Sequence, residues 1–398
     1  MKILLLSDVT MCADAGGIYQ TLYNLFSFLN PDDILCVTCA EQFKAFPPTE
    51  PFLSRYLTYK FEIIETPNNR IGKYTKPFAE WFNYSFNNKF RGFKDIRQSI
   101  KNFAPDIVIS CSNGPKGVFM HYKLLDGLNI KSVIPYFMDD WMYKLNFRWA
   151  GGEIASLVKK LLDNESWLMI SNELSDLLKE RYQSHPKSML VVHNPVDLSN
   201  APDASPLVKK QQYTVAYAGA LWQMHFDSFK VIAESIHHLS GEISAKLIVY
   251  TSINFWNWRK AELEPLGVVY GGNIAYKDIH NKLAQADALL VCSSFSVDWI
   301  NHTKGSVQTK ITDYLKARKP IISCGPSYSA NHSFLKKHRC GICIESNDSA
   351  IVKTDLQNIL GNIEKYKNLI NNGWELLEKE YTFAKVHEKL KQFLYTEI

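Results

Sequence analysis

The chain has 398 residues, of which 46% are apolar and 21% charged, and carries a formal net charge of +5. That length exceeds what one hydrophobic core usually supports and predicts two domains of about 200 residues each. The composition is that of a folded soluble protein, and the small positive charge excludes a dedicated nucleic-acid binder while allowing a basic patch toward anionic lipid or a phosphorylated substrate.

The apolar run Ile3 to Leu6 is too short for the core of a signal peptide, and no segment reaches the length of a membrane span, so the expected location is the cytoplasm. Short apolar strands then alternate with helical patterns, the signature of a parallel sheet wrapped by helices. Strands are predicted at 2–7, 33–38, 61–65, 106–110, 132–137, 167–171 and 189–192, and helices at 17–29, 93–103, 117–127, 153–162 and 173–182. The polar, proline-bearing stretch 196–212 reads as a linker. A second alternation follows, with strands at 214–218, 245–250, 268–270, 288–292, 320–323 and 341–344, and helices at 227–239, 276–284, 306–317 and through much of 350–392. Two α/β units of this kind, facing a central cleft, would bind ligands at the carboxyl ends of their strands.

Eight cysteines include two C-x-x-C spacings, Cys36 with Cys39 and Cys340 with Cys343. Both lie in β-like runs, where residues three apart point to opposite faces of a sheet, so reduced, buried thiols are expected rather than a metal site. Residues 73–97 interleave aromatics with cations, from Lys73-Tyr-Thr-Lys-Pro-Phe through Phe86 to Arg97. Such a segment either packs on its own domain or rests on a membrane surface.

The stretch Gly305 to Ser323 carries the most chemistry. On a helix starting after Gly305-Ser306, Ser306, Lys310 and Asp313 fall on one face and Val307, Ile311, Tyr314 and Leu315 on the other. Free amides at the helix start would favour a phosphate, with Lys310 beside it and Asp313 further along to accept bonds from sugar hydroxyls. A solvated surface helix is the competing reading.

An ordered series of weak signatures surrounds that stretch. Met1-Lys-Ile-Leu-Leu-Leu-Ser-Asp leads into Gly16-Gly17. Ile134-Pro-Tyr-Phe-Met ends in Asp139-Asp140-Trp141, and Val191-Val-His-Asn-Pro-Val-Asp197 precedes the linker. Val215-Ala-Tyr-Ala-Gly-Ala-Leu-Trp222 opens the second alternation, Val268-Val-Tyr-Gly-Gly272 follows, and Asp313-Tyr-Leu-Lys-Ala-Arg-Lys-Pro320 closes the series. In this order they resemble a retaining, nucleotide-sugar-dependent glycosyltransferase of the GT-B fold, in the large bacterial, family 4-like group that builds cell-surface polysaccharide, lipopolysaccharide and capsule.

The resemblance implies two Rossmann-like domains: an acceptor-side domain at 1–195, the linker at 196–212, a nucleotide-sugar domain at 213–378, and a C-terminal helix at 379–398 that packs back on the first domain. It implies Gly16, Gly17, Gly219, Trp222, Gly272, Ser306, Val307, Thr309, Lys310 and Asp313 as donor-binding residues, with Asp313 on the ribose, and Asp139 or Asp140 as the group that orients the acceptor or takes its proton. The expected substrates are a nucleoside diphosphate sugar and a saccharide or lipid-linked saccharide, without metal or further cofactor, and with peripheral contact to the cytoplasmic face of the inner membrane. The chain departs from the family where a histidine usually precedes Asp139, at Ala220, where an arginine is common, and at Gly305, which takes the place of a glutamate. His225, Lys230 and Lys310 are the cations that could compensate for the missing arginine. A sugar-nucleotide binder or scaffold without turnover, and a GT-B epimerase, are the alternatives.

Overall fold

A computed structural model describes residues 1–67, 70–86, 90–142, 151–239, 241 and 243–397; residues 87–89 of the aromatic basic segment and the side chain of Lys73 lie outside this description. Contacts divide the chain into two units, residues 1–192 with 387–398, and residues 193–386.

Unit 1 holds β1 (Ile3–Ser7), β2 (Ile34–Cys39), β3 (Tyr56–Phe61), β4 (Phe90–Arg91), β5 (Ile107–Cys111), β6 (Ser132–Phe137), β7 (Ser166–Met169) and β8 (Ser188–Val191). They form one sheet in the order β4-β3-β2-β1-β5-β6-β7-β8, parallel except for the β3-β4 edge pair. β1, β2 and β5 are buried along their whole length, because helices cover both faces of a parallel sheet and leave no solvent side for alternation.

One predicted strand is displaced. The chain expected to pair at 61–65 pairs instead at Tyr56–Phe61, in register with β2 from Cys36 opposite Tyr56. Beyond Phe61 it leaves the sheet, and the Asn83 side chain bonds both the amide and the carbonyl of Ile64, at 2.8 and 3.0 Å. With its backbone satisfied there, this stretch needs no strand partner.

The C-terminal helix Phe383–Thr396 brings residues 387–397 into unit 1. His387 Nε2 lies 2.7 Å from the carbonyl oxygen of Asn24. At the far end the hydroxyls of Ser188, at 2.6 Å, and Ser166 bond to the Glu397 carboxylate.

Unit 2 contains β9 (Gln212–Ala218), β10 (Ser244–Tyr250), β11 (Val269–Gly272), β12 (Ala288–Cys292), β13 (Ile321–Cys324) and β14 (Ile342–Ile344). All pairs are parallel, in the order β11-β10-β9-β12-β13-β14. This is the dinucleotide-fold order, with the direction of winding reversing between β9 and β12. Side chains alternate along β9, so Val215 and Tyr217 enter one core and Ala216 the other.

The expected continuous helix 306–317 is interrupted. Helices run over Ile300–Gly305 and Lys310–Lys316, and Ser306 between them is extended, at φ −98° and ψ 111°. Val307 is pulled into the core with Ile311 and Tyr314. The amide of Gln308 donates to the Asn331 side chain at 2.9 Å instead of to a helix carbonyl. Satisfying that donor from outside lets the helix restart at Lys310.

Candidate donor site in unit 2

The reversal between β9 and β12 opens a crevice at the carboxyl ends of the strands, the place where open parallel sheets take ligands. β9 ends when Tyr314 closes it: the amide of Ala218 donates to the Tyr314 hydroxyl at 2.7 Å. Gly219 then turns the chain at φ +131°, a conformation that favours glycine. A side chain at 219 would also place its Cβ 2.9 Å from Lys310 Nζ.

Lys310 is thereby laid across the end of β9. Its ammonium sits 3.8 Å from the centroid of the Tyr217 ring, an attraction of roughly 0.5–2 kcal/mol in favour of the charged form. Burial works the other way and lowers its pKa from 10.5 to about 7. Of the three cations that could replace the missing arginine, Lys310 alone lies against Gly219. Lys230 is turned to Glu262 at 3.0 Å. His225 is buried, and desolvation together with His302 and Lys310 holds it well below the usual imidazole range, so it is neutral at pH 7.

The other wall is a polar network. Gln308 Nε2 donates to the Cys292 carbonyl at 2.5 Å and lies 3.3 Å from His225 Nδ1, while its Oε1 is buried without a partner. Asp227 Oδ2 accepts from Ser294 Oγ and the amides of Phe295 and Ser296 at 2.8, 2.8 and 3.2 Å, which pins the loop after β12.

Asp313 lies three residues past Lys310 in a different setting. The Tyr276 hydroxyl donates to its Oδ1 at 2.8 Å, and His280 Nε2 is 2.9 Å from the same oxygen. Tyr276 and His280 are four apart on the helix Tyr276–Leu283 and so share a face. Both contacts fall on Oδ1 and fix the carboxylate. Sequence reasoning missed these partners, although the i, i+4 spacing of a tyrosine and a histidine was there to be read.

The remaining predicted residues are dispersed. Ser306 and Val307 are buried under the crevice, with Ser306 Oγ 3.5 Å from His302 Nδ1. Thr309 precedes Lys310 as the helix cap. Gly272 ends β11 at φ +91°, and its carbonyl accepts from the Thr251 amide. Trp222 is half exposed, edge-on to Phe255 at 4.6 Å. In unit 1, Gly16 and Gly17 turn the chain at φ +69° and +55° ahead of the helix Gly17–Phe26. Asp139 and Asp140 follow β6; Asp140 is wholly buried, and its two oxygens take Arg181 Nη1 and Nη2 at 2.8 and 2.6 Å. Among the described residues no group of three His, Cys, Asp or Glu is placed to hold a metal ion, and the eight cysteines form no disulfide.

Neither a protein-family model nor a curated protein sequence matches the chain. Solved structures do, along its whole length. Anabaena HepE in complex with UDP-glucose is similar with a TM-score of 0.67 at 11% identity, covering 100% of both chains. Sucrose-phosphate synthase from Thermosynechococcus elongatus is similar with a TM-score of 0.66 at 11% identity, over 99% of this chain and 98% of its own. The lipopolysaccharide outer core galactosyltransferase WaaB is similar with a TM-score of 0.63 at 14% identity, over 100% of both. The chain has the GT-B fold. Within that fold, unit 2 is the dinucleotide-type half that holds Lys310 and Asp313.

Proposed function

We propose that this chain is a glycosyltransferase that moves a sugar from a nucleoside diphosphate donor, held by unit 2, to a hydroxyl of a saccharide acceptor, with retention and without metal. The observation that carries the proposal is Lys310, a lysine held over Tyr217 and against Gly219 in the crevice beside β9. Such a group is tuned to an anion: a diphosphate arriving beside it favours the ammonium that burial disfavours. As the bond to the sugar breaks, charge accumulates on the leaving diphosphate, and a preorganised cation stabilises that charge more than the ground state. Asp313, oriented by Tyr276 and His280, offers its carboxylate to the ribose hydroxyls and so positions the donor. The GT-B structures solved with UDP and UDP-glucose support a uridine donor.

On the acceptor side Asp140 is committed to Arg181, so Asp139 is the member of the pair we keep for orienting the acceptor. Thermal denaturation with UDP, together with UDP release from UDP-glucose, tests the proposal. UDP at 100 times its dissociation constant should stabilise the native state by about 2.7 kcal/mol, and UDP should be released from the sugar nucleotide. Stabilisation without release would mark a binder that does not turn over, and neither effect with any common nucleoside diphosphate sugar would sink the donor site.

We extend the proposal to a membrane surface. On the helix Arg70–Ser85, Ile71, Tyr74 and Phe78 are 68, 76 and 52% exposed, and their spacing puts them on one face. Lys76 lies across the helix from them and pairs with Glu80 at 3.8 Å. Among the described residues no helix is long and apolar enough to cross a membrane, whereas a face of this kind lies on one. The protein should float with vesicles containing phosphatidylglycerol and less so at high salt. The triple change Ile71→Ser, Tyr74→Ser, Phe78→Ser should leave it at the bottom of the gradient; flotation equal to that of the unaltered chain would discard the contact.

A further inference from the structure

The crevice of unit 2 is bounded by a closed circuit of contacts. Lys310 lies against Gly219, and the Gly219 amide donates to the carbonyl of Tyr250 at 2.9 Å. Tyr250 ends β10, opposite Ala218 of β9 on one side and Gly272 of β11 on the other. Four residues past Gly272 the chain reaches Tyr276, whose hydroxyl donates to Asp313, and Asp313 stands three residues past Lys310. Each step from strand to strand is about 5 Å, a span that one nucleotide can reach across.

The donor site uses Lys310, Gly219 and Asp313, and Tyr250 completes the circuit between them. Its ring leans over β11. The ladder shifts register there: Val249 faces Tyr270 and Tyr250 faces Gly272, so Gly271 is an extra residue with none opposite it. A Cβ at Gly271 would fall 2.5 and 2.6 Å from Cε1 and Cδ1 of the Tyr250 ring and 2.9 Å from Ile248 Cγ2. Gly271 has no left-handed φ that would call for glycine. The missing side chain therefore makes room for the ring rather than for a turn. Tyr250 packs against the cluster that holds Ile311 and Tyr314, and the rest of its surface is exposed at the carboxyl end of β10.

A nucleoside diphosphate branches three ways from its ribose: through the 5′ carbon to the diphosphate, through the 2′ and 3′ hydroxyls, and through the 1′ carbon to the base. With the diphosphate at Lys310 and the hydroxyls at Asp313, the base is left to the third part of the circuit, Tyr250 with Gly271 and Gly272. We infer that the Tyr250 ring is the platform on which the base of the donor stacks, an assignment that rests on the donor site proposed above. A ring already held by its packing and seated over a bulged glycine loses little freedom when a base settles on it. Every base has a face that can stack. Tyr250 therefore governs how tightly the nucleotide is held, not which base is chosen.

The test compares the full chain with its Tyr250→Phe and Tyr250→Leu variants by titration calorimetry, using UDP, GDP and ADP as nucleotides and inorganic pyrophosphate as a probe without a base. Leucine keeps an apolar side chain against Ile311 and Tyr314 but offers no ring to stack on. Expected is nucleotide binding that survives Tyr250→Phe and weakens roughly 5- to 150-fold with Tyr250→Leu, the range that stacking of one base spans, while pyrophosphate binds all three proteins alike. Gly271→Ala, which drives a methyl group into the ring, should weaken the nucleotide as Tyr250→Leu does and likewise spare pyrophosphate. A Tyr250→Leu protein that binds the nucleotide as tightly as Tyr250→Phe, or that loses pyrophosphate by the same factor, overturns the assignment and leaves the donor site standing. An unaltered chain that binds none of the three nucleotides overturns both.

Discussion

Lys310→Met should lower UDP release from a uridine diphosphate sugar by roughly 10²–10³-fold, the loss that follows removal of one preorganised group from a developing anion, and should raise the melting temperature of the ligand-free protein. The second effect follows from linkage. The folded-state pKa of Lys310 is about 7 against 10.5 for an unperturbed lysine. Below about pH 7 the folded chain carries the buried ammonium at its full desolvation penalty. Between 7 and 10.5 the folded chain is already neutral while the unfolded chain still binds the proton, so stability rises with pH across that window. Methionine removes the penalty, and its gain in stability should be largest below pH 7 and shrink toward 10.5. It should also abolish the stabilisation given by UDP. A Lys310→Met protein that is still stabilised by UDP and still turns over would take the diphosphate away from this residue. Arginine is not expected to rescue, because the 2.9 Å between Lys310 Nζ and a Cβ at Gly219 measures how closely the chain already encloses the compact ammonium.

The second large effect concerns folding. Asp140 is 0% exposed and Arg181 26%, and the pair is joined by two parallel hydrogen bonds. Removing one partner of a buried pair costs about 3–5 kcal/mol because the other charge is left uncompensated. The two truncations should differ. Arg181→Ala strands a carboxylate that has no path to water, whereas Asp140→Ala leaves a guanidinium that already reaches solvent. Arg181→Ala should therefore be the more damaging, lowering the melting temperature of unit 1, a body of about 200 residues, by roughly 6–20 °C. Denaturation followed by tryptophan fluorescence would measure it, and equal effects of the two truncations would mean that water reaches Asp140.

The strands were largely legible because each announces itself locally. Ile-Leu-Leu-Leu in β1 and Ala-Leu-Leu-Val-Cys in β12 are continuous apolar runs that only a sheet covered on both faces accommodates. The displaced third strand was not, since Phe61 to Glu65 is as apolar as its neighbours and only Asn83, bonded to Ile64 from a later helix, shows that its backbone is satisfied elsewhere.

By itself, then, the amino-acid sequence determined the α/β class, two alternating halves, and Lys310 and Asp313 as the residues to examine, because periodicity and residue type act over a few positions. Only the tertiary structure decided that Ser306 and Val307 leave the helix, that Lys310 rather than Lys230 or His225 lies against Gly219, that Tyr276 and His280 orient Asp313, and that Asp140 serves Arg181. Each of those outcomes is a contact between residues distant in the chain, set by which buried polar group must be satisfied and which neighbour is within reach.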